Sequence, residues 1–317
     1  MSTDPVIEPT YATVAASTLR RSLFRWRLVA FVALVVAILA LTGRFAIDQG
    51  LGLQDSIARI RIDGTIFTDP GRLRMIETLA DDDHVKAVIV EINSPGGTTA
   101  GGEEIYEALG RLREKKPVVA VINELGASAA YMSAIATDRI FARRLSIVGS
   151  IGVLVQTTDA SKLLQTIGID FDKVASGPLK AEPDIDEPMA PAVRASLQAL
   201  VDSSFNWFVD IVAERRGLQR DTVLGLADGR IVTGLDGLQL KLIDAVGGER
   251  EAVEWLETDA AIKKDLAIVE WSPAREQGWA GLLRWIGGEA RAALGLPAEG
   301  PIALDGLVSL WQVDAAQ

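Results

Sequence analysis

The sequence predicts an α/β fold with a mostly parallel sheet and flanking helices, preceded by one N-terminal transmembrane helix. From Ser56 onward, short β-branched runs alternate with segments of helical spacing, which is the pattern of βαβ units. Before them, Leu28–Gly43 forms a run of sixteen residues without a charge. The composition, 49% hydrophobic and 24% charged over 317 residues, is that of a folded chain.

The apolar run predicts a membrane anchor over residues 28–45, preceded by a cytoplasmic tail over residues 1–27. A spanning helix usually needs about 20 residues, and Trp26 and Phe45 extend the run at its two ends. Four arginines precede the run and one follows closely, so the positive-inside rule places the tail in the cytoplasm and the remaining chain outside. A buried core helix and a cleaved signal peptide are the alternatives.

Each element of the exported part follows from its local pattern. The first strand alternates apolar and polar residues and stops at Asp63-Gly64, a turn signal. The later strands are short β-branched runs that suit burial on both faces. The predicted strands are Ser56–Ile62, Val85–Ile92, Val118–Ile122, Ile151–Val155 and Phe171–Ala175. The predicted helices between and after them are Gly71–Ala80, Ala100–Arg113, Ser128–Ala136, Asp159–Ile167 and Ala190–Arg216.

The long helix Ala190–Arg216 carries apolar residues at three- and four-residue intervals, and Gly217 follows as a C-cap. This pattern predicts a buried stripe formed by Leu197, Leu200, Val201, Phe205, Phe208, Val209 and Val212. In residues 277–296, apolar residues that include two tryptophans recur with a roughly helical period. We expect an amphipathic helix there, packed on the domain, on a partner subunit or at the membrane surface.

Composition excludes several classes of function. The net charge of -11 and the pI of about 4.8 argue against a nucleic-acid-binding protein, which usually carries a basic face. The chain has no cysteine, so it has neither disulfides nor thiolate metal sites. Its single histidine, His84, lies in an acidic turn, where we expect it to be exposed. We therefore expect no metal site and no cofactor.

Two segments carry the candidate catalytic residues that the chain would use if it is a hydrolase. Ser128 lies in the small-residue segment Gly126–Tyr131, and Lys180 follows 52 positions later in the loop Ser176–Lys180. With one histidine and no cysteine, a Ser-Lys dyad is the simplest remaining nucleophile and base. Such a lysine must have its pKa lowered by burial or by a nearby cation. The alternatives are an N-cap serine and a surface lysine.

Supporting groups lie in two further turns. Backbone N–H groups of the Gly96-Gly97 turn, together with the N–H of Ala129 at the predicted helix start, could hold an oxyanion. Ser150, in a Gly-Ser-Ile-Gly turn, could orient the lysine amine. An ordinary strand-to-helix turn and a structural turn serine are the alternative interpretations of these two features.

Together these segments resemble the signal peptide peptidase A family of membrane-anchored serine peptidases (S49 peptidases), in its short, single-domain form. The resemblance runs from about Ser56 to Val253. It is carried by the segments Val85–Gly97, Gly126–Tyr131, Asp138–Val153, Ser176–Lys180 and Ala227–Gly248.

The resemblance implies a ClpP/crotonase-like fold and a catalytic domain over residues 51–256, followed by a C-terminal extension over 257–317. It assigns Ser128 as the nucleophile, Lys180 as the general base and Ser150 as the residue that orients the lysine. The backbone of Gly96, Gly97 and Ala129 would donate to the oxyanion. The expected partners are hydrophobic peptides, chiefly signal peptides, and further copies of the chain in a ring where Ser128 and Lys180 come from neighbouring subunits. The expected location is the bacterial inner membrane, with a single pass and the catalytic domain on the periplasmic side.

The sequence departs from the family pattern at two places. Ala129-Ala130 stand where two glycines are usual, and their methyl groups could narrow the approach to the oxyanion site. Lys241 stands where glycine is more usual, which we interpret as a surface change. A peptidase for one specific protein, acyl-CoA chemistry on the same fold and an inactive scaffold remain as rival functions.

Overall fold

The structure is a computed structural model that describes residues 26–36 and 54–273, and the backbone of 308–310. The chain divides into two compact units, Met1–Leu53 and Gln54–Gln317. In the first unit, residues 26–36 form helix α1, whose apolar side chains are exposed. Among the described helices, none combines the length and the hydropathy needed to cross a membrane. Residues 37–45 of the predicted anchor lie outside the described ranges.

The second unit is built on one sheet of mostly parallel strands. Its main path has the order β6-β5-β3-β2-β1-β8, with β4 paired to β3 and β7, and β9 paired to β2. Among the strand pairs that the structure describes, only β5–β6 and β2–β9 are antiparallel. The strands are β1 (Ser56–Ile66), β2 (Val85–Thr98), β3 (Val118–Ala127), β4 (Arg139–Ala142), β5 (Ile147–Gly149), β6 (Ile231–Thr233), β7 (Ala245–Val246), β8 (Ala267–Trp271) and β9 (Val308–Leu310). The predicted α/β fold with a mostly parallel sheet is confirmed.

Helices cover both faces of this sheet. They are α2 (Pro70–Asp81), α3 (Thr99–Arg113), α4 (Ala129–Ile135), α5 (Ser161–Ile167), α6 (Pro191–Arg216), α7 (Arg220–Leu226), α8 (Gly234–Gln239) and α9 (Glu249–Thr258). Alternate residues of β2 enter two different cores, because successive side chains of a strand point to opposite faces. Val88 and Val90 pack with α2, α3, α4 and α6, whereas Ile89 packs with Leu256 of α9.

Two predicted strands are wrong. Ile151–Val155 forms no strand, because the ladder with β3 ends at Gly149, at the end of β5. Phe171–Ala175 has no regular secondary structure, and Val174 is 98% exposed. Both segments have β-branched residues, but a strand also needs a partner edge and a covered face. The other strands and helices predicted between Ser56 and Arg216 are present, and β1, β2 and β3 run further toward their carboxyl ends than predicted.

The long helix α6 is buried over only part of its predicted stripe. Its carboxyl-terminal half packs in the core through Phe208, Val209 and Val212, and Gly217 caps it in the left-handed conformation. Its amino-terminal half is largely exposed, and Leu200 remains 50% exposed. The predicted helix 277–296 lies outside the described residues. Strand β8 follows residue 256, the predicted end of the catalytic domain, and it still belongs to the sheet.

Candidate active site

Ser128 lies at a sharp turn where β3 ends and α4 begins. Its backbone adopts φ 59° and ψ −121°, a conformation that side-chain-bearing residues rarely occupy. The turn is fixed by the Ser128 N–H, which donates to the Gly149 carbonyl at 2.9 Å, and by the Ser128 carbonyl, which accepts from Tyr131 and Met132. Although Ser128 occupies the N-cap position, its side chain makes no capping hydrogen bond. The fold thus holds this serine in a strained conformation that helix capping does not explain.

Ser150 follows β5 directly, as Ser128 follows β3. In the parallel β3–β5 ladder, Ala127 pairs with Gly149, so the two serines are the first residues after adjacent strand ends. Ser150 is buried and also has a positive φ, 52°, and its N–H donates to the Arg230 carbonyl at 2.8 Å. It lines a cavity of about 460 Å³ together with the following loop, α6 and residues 227–229. The structure therefore brings the predicted nucleophile and the predicted orienting serine together.

The predicted glycine turn is an extension of β2. Ser94 pairs with Gly126, two residues before Ser128, so the turn lies at the same edge as the serine. Gly96 has φ 105°, which favours glycine, and its N–H donates to the Ser94 hydroxyl at 3.1 Å. At Gly97 a Cβ would lie 1.9 Å from the Ile66 carbonyl oxygen. Close packing between β1 and β2 therefore requires glycine at this position, independently of any ligand.

The alanines that replace the usual glycines face the protein interior. Ala129 and Ala130 are fully buried members of the large core cluster. An added Cβ on Gly102 of α3 would lie 3.0 Å from the Ala129 methyl, which shows how closely α3 and α4 pack. The two methyl groups are thus part of the core. The expectation that they narrow the approach to the oxyanion site stays a prediction.

Lys180 lies in an exposed segment between α5 and α6. Its N–H donates to the Gly177 carbonyl at 3.1 Å, but its side chain is exposed, in contrast to buried Ser128. The neighbouring Glu182 forms a 2.5 Å ion pair with Lys173, which also binds Asp184. The hydrogen bonds that the Lys173 ammonium donates to Asp184 and Glu182 raise the pKa of Lys173. Glu182, two residues after Lys180, is thus paired with a different lysine.

Large apolar side chains around Lys180 are also exposed. Phe171 is 62% exposed, and Leu179, next to the lysine, is 47% exposed. Further large apolar side chains are exposed in α5, in the segments that flank it and in the amino-terminal half of α6. The exposed residues of this part of the chain are Leu154, Leu163, Ile167, Ile169, Phe171, Val174, Leu179, Ile185 and Leu200. Exposed apolar side chains in such number are typical of a segment that contacts a protein or a membrane.

His84 is exposed, as predicted, and its Nδ1 lies 3.8 Å from Asp55. Within the described residues, Glu182, Asp184 and Glu187 form a group with the spacing of cation ligands. The Lys173 ammonium already lies among these three carboxylates. These groups give no reason to place a metal in the site.

Comparison with the sequences of known proteins relates this chain to a family. The family model for peptidase family S49 matches residues 110–263. A protein of Synechocystis sp., whose name marks it provisionally as a protease, is 37% identical over 211 residues, which are 66% of this chain and 76% of that protein. The chloroplastic serine protease SPPA of Arabidopsis thaliana is 30% identical over 240 residues, 70% of this chain and 35% of its own length.

A third relative, from Enterococcus faecium, is provisionally named signal peptide peptidase SppA. It is 28% identical over 200 residues, which cover 63% of this chain and 58% of the relative. The match to the Synechocystis protein combines more than 30% identity with coverage of most of both chains. This chain is therefore a member of peptidase family S49.

Proposed function

We propose that this chain is a membrane-anchored serine endopeptidase that uses a Ser-Lys dyad to cleave hydrophobic peptides, remnant signal peptides among them. The observation that carries the proposal is the placement of Ser128 and Ser150 side by side in positive-φ turns, at the edge where β2 presents Gly96-Gly97. Because the chain belongs to a peptidase family, we interpret this arrangement as a peptidase active site.

In the proposed reaction, the Ser128 Oγ attacks the carbonyl carbon of a peptide bond while the neutral amine of Lys180 accepts its proton. The carbonyl oxygen becomes an oxyanion held by backbone N–H groups of Gly97 and Ala129. We assign the donor of the turn to Gly97 because the Gly96 N–H already donates to Ser94. Lys180 then protonates the leaving amine, and water hydrolyses the acyl-enzyme. Ser150 positions the amine of Lys180.

The lysine in this scheme comes from a neighbouring subunit. In the single chain, Lys180 is solvated, whereas a lysine acts as a base only after burial or a nearby cation disfavours its charged form. The exposed apolar surface around Lys180, which includes Val174 and Leu179, would be covered when a second copy packs against it. Assembly would thus desolvate Lys180 and deliver it to the partner's Ser128.

Substrate and location follow from two further features. Helix α1 exposes apolar side chains such as Phe31, which suits an apolar surrounding better than water. An anchor over residues 28–45 would hold the catalytic unit near the periplasmic face, where hydrophobic peptides leave the membrane. The Enterococcus faecium relative is provisionally named for action on signal peptides. We therefore assign hydrophobic signal-peptide remnants as the substrate class.

The test is hydrolysis of a hydrophobic fluorogenic peptide by the detergent-solubilised chain. We expect Ser128→Ala and Lys180→Ala to abolish turnover, and Ser150→Ala to lower kcat by at least about tenfold with little change in KM. The matched control is Lys162→Ala, which removes an exposed lysine on α5 and should leave activity unchanged. Activity that persists in Ser128→Ala would refute the nucleophile assignment.

Mixing the two inactive variants tests the shared site. If each site combines Ser128 of one subunit with Lys180 of the next, mixed rings of Ser128→Ala and Lys180→Ala chains contain some intact sites and regain activity. Activity that stays absent after subunit exchange, verified by mass spectrometry of mixed oligomers, would place both residues in one chain. Absence of hydrolysis in the wild type over many peptides would favour a narrow-substrate peptidase or a scaffold.

A further inference from the structure

Lys173 closes the segment that carries the proposed general base. This segment connects α5 to α6, and Lys180 lies near its middle. Three carboxylates follow Lys180, and the Lys173 ammonium lies among them. It donates hydrogen bonds to Glu182 at 2.5 Å and to Asp184, and it lies 3.8 Å from Glu187. These contacts join residue 173 to residues 182–187, so the chain between them, with Lys180 in it, forms a closed loop.

Glu182, Asp184 and Glu187 form a carboxylate cluster that a single cation neutralises in part. Their nearest oxygens all lie within 4.8 Å of one another. In the part of the chain that the structure describes, Lys173 is the only lysine or arginine at ion-pair distance from them. The Glu182 side chain is only 9% exposed, so water screens its charge weakly. One positive charge thus offsets three negative charges, and the cluster keeps its place through Lys173.

The carboxylate cluster matters for Lys180 because a general base must lose its proton before it can act. A negative charge within about 4–6 Å favours the protonated form of a lysine. Glu182 follows Lys180 by two residues, so their Cα atoms lie within about 7 Å of each other and the carboxylate could reach the amine. Among the described residues, however, no carboxylate lies within 4.0 Å of the Lys180 amine. Glu182 is bound to Lys173 instead.

Other charged groups surround this loop without pairing with the cluster. The Ala160 N–H donates to the Ile185 carbonyl at 2.8 Å, which places the start of α5 beside the cluster. There the carboxylate of Asp159 accepts from the Ser161 N–H at 2.9 Å. The charged groups of the segment and of its neighbouring helices that form no ion pair with the cluster are Asp159, Lys162, Asp170, Asp172, Asp186 and Arg194.

We propose that Lys173 is a positioning residue for the general base: it holds the carboxylate cluster to one side of the loop and keeps negative charge away from the amine of Lys180. This inference rests on the proposed peptidase function and adds to the dyad a residue that does not touch substrate. Its effect grows on assembly, because a second copy that covers the loop lowers the local dielectric constant and strengthens every charge interaction there.

The expected effect is a displaced pH profile. Lys173→Met removes the cation and releases Glu182, and both changes favour the charged form of Lys180. A unit charge about 8 Å away, at an effective dielectric constant of about 20, moves a titration midpoint by roughly 1.5 pH units. The acid limb of kcat/KM, where the base gains its proton, should therefore move to higher pH by about 1–1.5 units. Below the limb, activity falls about 10- to 30-fold, whereas the plateau at high pH keeps the wild-type kcat.

The decisive variant removes the carboxylates together with the lysine, in the full detergent-solubilised chain. Lys173→Met/Glu182→Gln/Asp184→Asn/Glu187→Gln lacks the ion pairs but also lacks the negative charge. If the role is electrostatic, its acid limb returns to the wild-type position or lies below it. If Lys173 only holds the loop together, this quadruple variant keeps the defect of Lys173→Met.

The matched control is Lys115→Met, which also breaks an ion pair. Lys115 binds Asp81 at 2.6 Å and precedes β3, at the end of that strand opposite to Ser128. We expect its pH profile to coincide with that of the wild type. In an active enzyme, an acid limb that Lys173→Met leaves unmoved, or moves no further than Lys115→Met does, would overturn the inference.

A second readout requires no hydrolysis. Trace acetic anhydride acetylates the neutral amine of a lysine, so the acetylated fraction of Lys180 at each pH, measured by mass spectrometry against exposed Lys162, reports the protonation of Lys180. We expect its midpoint to rise by about 1–1.5 pH units in Lys173→Met and to return in the quadruple variant. A midpoint that does not move, or that stays displaced in the quadruple variant, would overturn the inference. If the midpoints follow the inference while the wild-type chain hydrolyses no peptide, the role of Lys173 toward Lys180 stands and the proposed peptidase function falls.

Discussion

The strain at Ser128 gives a prediction that does not depend on substrate. The residue holds φ 59° and ψ −121°, where a Cβ costs about 1–3 kcal/mol. Ser128→Gly and Ser128→Ala both remove the hydroxyl group, so their comparison cancels the lost side-chain contacts. Only the alanine variant keeps the Cβ and its strain. Glycine costs about 0.5–1 kcal/mol through the greater freedom of the unfolded chain. We therefore expect Ser128→Gly to be more stable than Ser128→Ala by about 0.5–2 kcal/mol.

The assay is denaturant unfolding followed by tryptophan fluorescence, with the free energies of unfolding compared between the two variants. Ser133 supplies the control, because it lies in helix α4 and donates to the Ala129 carbonyl in ordinary helical geometry. There the order should reverse, with Ser133→Ala more stable than Ser133→Gly by about 1 kcal/mol. If glycine were the less stable variant at both positions, the reasoning that Ser128 stores backbone strain would be refuted.

Three further predictions concern neighbouring features. Gly97→Ala should destabilise the chain by about 1–3 kcal/mol or more and reduce peptide hydrolysis, since its Cβ would meet the Ile66 carbonyl at 1.9 Å; unchanged unfolding and activity would contradict this packing. Lys241→Gly should stabilise the chain by up to about 1 kcal/mol in thermal unfolding, because Lys241 has φ 60°, and a lower Tm would count against it. Burial raises the pKa of Asp138, so its stabilising contribution is complete below about pH 3.8 and is lost as pH rises through the raised pKa. Asp138→Asn keeps an oxygen acceptor for the Val118 N–H. The free energy of unfolding of this variant, relative to that of the wild type, should therefore be higher at pH 7 than at pH 4, and an equal difference at both pH values would refute this.

Local sequence patterns predicted the three longest strands of the sheet, β1, β2 and β3, and the helices α2 to α6, but not the short strands β4 to β9 or the helices α7 to α9. Val85–Ile92 is long and β-branched enough to require burial on both faces, and it forms the centre of the sheet. The same reasoning fails at Phe171–Ala175, whose pattern is similar but which no strand edge within the described residues receives. Strand formation there depends on tertiary pairing, which local propensity does not encode.

Sequence reasoning singled out Ser128, Ser150 and the Gly96-Gly97 turn, which the sheet register brings to one edge, but it did not predict their backbone conformation. The small residues around Ser128 and the Gly96-Gly97 turn indicated a close backbone approach. No local sequence pattern predicted the positive φ of Ser150, which accompanies a hydrogen bond to the distant Arg230 carbonyl. Nor did a local pattern predict the pairing of β9, whose partner β2 lies more than 200 positions away. The close approach of the Ala129 methyl group to Gly102 could not be predicted either, because it depends on the position of α3.

The most direct test of the central claim is covalent labelling of the solubilised chain with a fluorophosphonate, followed by mass spectrometric mapping of the modified residue. The account predicts a single label on Ser128, absent from Ser128→Ala and strongly slowed in Lys180→Ala. A label on another serine, or labelling that is unaffected by either substitution, would contradict the assignment of Ser128 as the nucleophile.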